Sequence, residues 1–382
     1  MSLYSIKNSI KYLRVTCVLV MGLLTLYGLL ITTQIGRDFE ADWWVRDVEV
    51  YKDYRADTID RPKILVAAGS NALFGIDSAI LESRLGYPVA NISTHAALDV
   101  SYLFRKVIKH MRQGDIVVLP LHADFYGETQ ISDWFANNML AWGHESYLAD
   151  LSVFSFIRFL VAVPKTMIAE RLYKAGPHRV LLPPERIIYR VNQMAATNNS
   201  GWKGKYSYES LNRYGEFRID FGPMDKLLSD YQEGLVYIDP DMVVSQRFLS
   251  YYRELEELAR QRQVTIIFTW PVSIRNHLYN LSEMKGQRLA MNFRNKLLEH
   301  GIEIHCNPAL FQMQVLLFVD TRYHTQTTGA NIRTVNLADC IQALLTSDEQ
   351  AEVDFSTAIE RVRKQTHELL RTDQNWSKPK LR

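Results

Sequence analysis

Cysteine is scarce in this chain, with three in 382 residues. No Cys or His pair has the spacing of a zinc site, so no bound metal is expected. The glycines do not form a phosphate loop or a dinucleotide fingerprint, because Gly69 lacks the glycine partners such loops need; no organic cofactor is expected. Neither sign of charge dominates. Lys and Arg number 44 against 42 Asp and Glu, for a formal net charge of +2. Without a basic stripe carrying interleaved aromatics, nucleic acid is excluded as the main partner. Internal repeats are also missing. What remains is an ordinary globular composition, 47% hydrophobic and 23% charged, long enough for a large core.

Charge is missing altogether from residues 15–36, VTCVLVMGLLTLYGLLITTQIG. That is about the length a helix needs to cross a bilayer core. Lys7, Lys11 and Arg14 precede the run; Asp38, Glu40 and Asp42 follow it, with Arg37 the lone nearby base. The lysine and arginine bias places the N-terminus in the cytoplasm and the main domain across the membrane. Trp43 and Trp44 suit an interfacial anchor. A cleaved signal peptide competes with this reading, but the run is long for one and no small-x-small site ends it. The expectation is a single-pass signal anchor in the inner (cytoplasmic) membrane, with a periplasmic or otherwise extracytoplasmic domain. In an oxidising compartment Cys306 and Cys340 either bridge, bracing the chain around residues 320–324, or stay as two buried thiols. Cys17 lies within the apolar run.

Beyond a polar segment at 37–61, expected as a stalk or first cap helix, strand and helix signals alternate. Residues 63–68, 88–93 and 116–121 read as strands, separated by amphipathic helices at 76–85 and 98–111. Asp77 or Ser78 is the expected cap of the first. The rhythm lapses over 122–240, which reads as a helical or irregular cap insertion. Within it, 151–168 is apolar and broken at Pro164. Alternation resumes with a helix at 242–262, a strand at 264–269, a helix at 281–300 and a strand at 302–306. A strand-like run at 315–319 leads into Asp320, and a last core helix covers 329–345. Residues 347–382 read as a helix followed by a polar tail, disordered around Asn375–Pro379. Such alternation predicts a mainly parallel sheet with helices on both faces. Right-handed crossovers then gather the strand-to-helix turns on one edge, bringing Ser70, His95, His122, Trp270 and the 320–324 loop together.

Gly69-Ser70-Asn71 ends the first strand, where an open parallel sheet binds ligands. A serine there is either a helix cap or a nucleophile, the latter only with a base to take its proton. Asp320-Thr321-Arg322-Tyr323-His324 offers base and orienter, with His324 accepting the proton and Asp320 holding the other ring nitrogen. The blander reading makes Asp320 a turn cap and His324 a surface residue. Backbone amides at Ser70 and near His95 and Ala96 are candidates to hold an oxyanion.

These residues resemble the SGNH (GDSL-like) hydrolase superfamily, in which a serine follows the first strand and an Asp–His pair comes late in the chain. The resemblance covers about residues 62–121 and 241–346. It implies a flavodoxin-like three-layer α/β/α fold, Ser70 as nucleophile, His324 as base and Asp320 as orienter. Two family features differ. The second block carries His95-Ala96-Ala97 in place of a glycine. The third carries His122 where the family has Gly-x-Asn-Asp, with Asn71 a candidate substitute. One anchor plus one such domain is similar to the D-alanyl transfer and alginate O-acetylation proteins, which work beside a membrane-bound O-acyltransferase. The resemblance thus implies O-acyl transfer or ester hydrolysis on an envelope or secreted polysaccharide. The alternatives are a catalytically degenerate scaffold of such an assembly and a freestanding esterase.

Other candidates are weaker. Trp134, Trp142, Trp202, Tyr206 and Tyr208 form either a sugar-stacking platform or core. Residues 151–168 either pack over the sheet or dock on a membrane or partner helix. His95, His122 and His305 fall near strand ends, where a structural role is the commoner one.

Overall fold

Strand β1 (Ile64–Val66) is three apolar residues with no exposed surface, as expected of a parallel strand covered on both faces. It lies between β2 (Val89–Asn91) and β3 (Ile116–Leu119). Next come β4 (Thr265–Thr269) and β5 (Ile304–His305). The sheet runs β2-β1-β3-β4-β5 with every pairing parallel. The computed structural model describes residues 3–143, 145–346 and 353–372. The tail expected at Asn375–Pro379 lies outside the described residues.

Local chemistry explains the element ends. Asp77 accepts from the Ile80 amide and opens the Ser78–Leu85 helix, which Gly86 closes at φ 72°; that conformation favours glycine. Asp99 caps Val100–His110 and Ser245 caps Gln246–Gln261 in the same manner. At the amino edge of the sheet, Lys63 Nζ lies 2.7 Å from Asp115 Oδ2, both side chains fully buried. The other oxygen of Asp115 accepts from the Lys63 amide at 2.9 Å, so one carboxylate ties the starts of β1 and β3.

The chain divides into two compact units, residues 44–130 with 182–382, and residues 1–43 with 131–181. The first is the α/β unit. Its main core surrounds the sheet, and a second cluster holds Val48, Tyr51, Leu73, Phe74, Phe217 and Val319. The segment read as stalk or cap helix forms Trp43–Thr58. Within this unit, Lys52 Nζ donates to the Asn91 carbonyl at 2.8 Å, and Glu49 accepts from Thr94, Tyr102 and Lys106. The second unit contains the Leu3–Thr32 helix. Residues Ile10–Thr32 of it are long and apolar enough to cross a membrane. The same unit holds Val153–Ala162 and Lys165–Lys174, separated at Pro164 as the sequence suggested.

One strand expectation is corrected. Residues 315–319 form a 3-10 turn, Val315–Leu317, and only a lone antiparallel bridge, Phe318 to Thr325. The chain doubles back here, with the Val319 amide donating to the His324 carbonyl at 2.9 Å, so the apolar residues cap the core instead of extending the sheet. Cys306 and Cys340 form a disulfide, which joins the end of β5 to the Thr327–Leu345 helix.

Candidate active site

Register aligns three turns at the carboxyl edge. Val66 pairs with Asn91 on one side and Val118 on the other. Ser70, His95 and His122 each lie four residues beyond that row. Ser70 begins a short helix, Ser70–Gly75, and His122 caps another, Ala123–Gly127. Gly69 permits the crowding, because a Cβ there would sit 2.8 Å from the Ala96 Cα. The β1 and β2 turns therefore touch directly beside Ser70, which is 6% exposed.

Asp320 and His324 form the expected pair, with His324 Nδ1 2.8 Å from Asp320 Oδ1. The second carboxylate oxygen accepts from the Tyr206 hydroxyl. Burial alone would raise the Asp320 carboxyl; the hydrogen bonds from His324 and Tyr206 outweigh it and hold the group below the ordinary carboxylate range. Tyr206 is driven the other way, by burial and by donation to that carboxylate. The His324 ring stacks on Phe74, centroids 3.8 Å apart and planes within 6°. Phe74 is one helical turn past Ser70, and residues so spaced share a helix face. The pair and the serine thus border the same short helix. With Nδ1 committed to Asp320, Nε2 is the nitrogen left for proton transfer.

The remaining sequence candidates fall around this centre. His95 Nδ1 accepts from the Ala97 amide at 3.2 Å, which assigns the neutral ring's proton to Nε2. His122 is buried between Phe125 and Tyr323, the latter adjoining His324, with ring centroids 4.4 and 5.2 Å away. Its Nε2 has no hydrogen-bond partner among the described residues. Its Nδ1 approaches Asp124 Oδ2 at 3.3 Å without forming a hydrogen bond. Asn71 turns its Oδ1 to Arg333, 2.8 Å away. A guanidinium can only donate, so the assignment of the amide is fixed, and Nδ2 is left buried without a partner among the described residues. Of the aromatic candidates, Trp202 and Tyr206 pack against each other near the pair, centroids 5.4 Å apart. Trp134 and Trp142 belong to the other unit. His305 lies on β5.

No protein-family model and no curated protein matches this chain.

Five further contributors were not legible as such in the sequence. Tyr206 stands out in the sequence as an aromatic, and only the fold makes it the second donor to Asp320. Phe74 and Trp44 wall the site, Trp44 lying 5.2 Å from the Tyr206 ring. Arg333, fully buried, also donates to the Asn71 carbonyl, and desolvation brings its guanidinium down to about 9. Glu216 accepts from Ser78 and from Asn91, whose amide also reaches the Ala72 carbonyl in the Ser70 helix at 2.9 Å. An isolated Arg within a predicted helix was the one available signal, since a charged residue on the core side needs a reason.

Proposed function

We propose that the α/β unit is an SGNH-like serine O-acyltransferase or esterase, anchored to the membrane and acting on a cell-envelope or secreted polysaccharide. The observation that carries this reading is the Asp320–His324 pair stacked on Phe74, one turn along from Ser70. The strand order supports it, since β2-β1-β3-β4-β5 is the doubly wound order of flavodoxin-like sheets. In this mechanism Ser70 Oγ attacks the acyl carbonyl while His324 Nε2 takes its proton. The collapsing intermediate expels the donor alcohol, which His324 protonates. A sugar hydroxyl, or water in hydrolysis, then attacks the Ser70 ester and regenerates the serine. Asp320 orients the ring and stabilises the imidazolium. Amides at Ser70 and near Ala96, with His95, His122 or Asn71, are the donors for the oxyanion.

A membrane-bound O-acyltransferase as acyl donor, and a single-pass, N-in topology in the cytoplasmic membrane with the catalytic unit outside, complete the proposal. The disulfide suits such a compartment. The test compares wild type with Ser70→Ala in cells at equal protein level. O-acylation of the surface polysaccharide is lost in the variant if Ser70 carries the acyl group; unchanged O-acylation refutes the role. A scaffold without chemistry is the second reading, favoured by the burial of Ser70 and by the histidine at the third-block position.

A further inference from the structure

In the unit built from residues 1–43 and 131–181, the Val153–Ala162 helix leaves Val153, Phe154, Ile157 and Val161 exposed, from 48% to 79%. Their spacing makes one stripe along the helix. The opposite side meets the candidate span. Leu160 Cδ1 lies 3.8 Å from where a Cβ on Gly28 would stand, and the Tyr27 hydroxyl reaches the Val163 carbonyl at 3.4 Å. Gly28 precedes the end of the span at Thr32 by four residues, about 6 Å along a helix axis. A helix seated against residues 27–28 is therefore held below the level at which the span leaves the hydrocarbon. That depth is the one at which interfacial helices bury their apolar face, about 5–10 Å into the headgroup boundary.

We propose that Val153–Ala162 is a second membrane contact, an interfacial helix lying in the same bilayer leaflet that the span exits, with lipid as the occupant of its exposed stripe. Its length and sequence fit. It is ten residues long, too short to cross. Its one charge, Arg158, folds over the Phe154 ring at 4.3 Å, and a long basic side chain can carry its head to the lipid surface. Beyond the break at Pro164 the next helix is polar, with Lys165 exposed, Lys174 paired to Glu170 at 2.6 Å and Arg171 buried. The inference rests on the anchor and not on the serine chemistry.

The test uses full-length protein carrying Cys17→Ser, reconstituted in phosphatidylcholine–phosphatidylglycerol vesicles. Nitroxide labels are attached at Ile157→Cys and Val161→Cys, with Leu26→Cys as the span reference and Glu299→Cys on the α/β unit as the polar reference. Collision with oxygen is compared with collision with a neutral nickel chelate. The expected result is oxygen-dominated collision at 157 and 161, as at 26, and several-fold above the ratio at 299. Nickel access at 157 and 161 equal to that at 299 overturns the proposal, since the stripe would then face water. Low collision with both reagents also overturns it, because protein would then cover the stripe.

Discussion

At Asp320, two donors and partial burial pull in opposite directions, and the donors prevail. The consequence for pH has a definite sign. A carboxyl held low when folded binds its proton less readily than in the unfolded chain, whose value is about 3.9. The stabilisation is complete above that value and disappears as pH falls through the lower folded value. Urea melts taken from pH 6 down to pH 2 should show a steeper acid loss in wild type than in Asp320→Asn. Equal slopes would remove the account of this carboxylate. For activity, Asp320→Asn leaves the ring in the wrong tautomer and should reduce acyl transfer on the order of 10⁴-fold. Tyr206→Phe removes one hydrogen bond to a charged group, worth about 1.5–3 kcal/mol, and should lower the melting temperature while reducing the rate far less than Asp320→Asn. Comparable rate losses in the two variants would instead give Tyr206 a part in the chemistry.

Among the elements, strands and turns were legible where chemistry is local. The 63–68 run, the Gly69-Ser70 turn and the Asp77 cap follow from apolar patterning, the small glycine and a side chain that can reach an amide two or three residues on. Residues 315–319 were not legible, because an apolar run satisfies a buried turn as well as a strand and only the fold-back to residue 324 decides. Tyr206 and Arg333 were opaque as functional groups for a related reason. Each acts on a residue more than a hundred positions away, and no local pattern records such a contact. The turns give a clear prediction. Gly69→Ala forces a Cβ to 2.8 Å from the Ala96 backbone, so the β1 turn must shift. Gly86 faces open space but sits at φ 72°, so Gly86→Ala is strained without touching the site. Purified Gly69→Ala should keep its far-ultraviolet circular dichroism and lose serine-dependent activity at least tenfold, whereas Gly86→Ala should lose stability with activity intact. At the amino edge, Asp115→Ala strands the buried Lys63 ammonium and should cost about 3–5 kcal/mol in denaturant unfolding.

For the molecule as a whole, the apolar helix near the N-terminus and the disulfide in the α/β unit both bear on where the protein works. The helix was plain in the sequence because a charge-free run of that length has few soluble uses. The disulfide was not, since two cysteines suited to an oxidising compartment read equally well as separate thiols. The bridge spans 34 positions, and closing a loop of that size removes about 4 kcal/mol of unfolded-state entropy. Reduction under native buffer should therefore lower the unfolding midpoint by a corresponding amount, and Cys306→Ser/Cys340→Ser should reproduce it. An unchanged midpoint after verified reduction would deny the bridge its bracing role. Because it ties β5 to the helix that follows His324, the loss of stability should be accompanied by weaker serine reactivity.

Under the proposed function, a serine, an imidazole and a carboxylate far apart in the sequence of the α/β unit act together. Intact-protein mass spectrometry after treatment with a fluorophosphonate tests it most directly. One adduct is expected on the folded chain, mapped to Ser70, absent in Ser70→Ala and at least a hundredfold slower in His324→Ala. No adduct on folded wild type, or one that forms equally fast without His324, would contradict it.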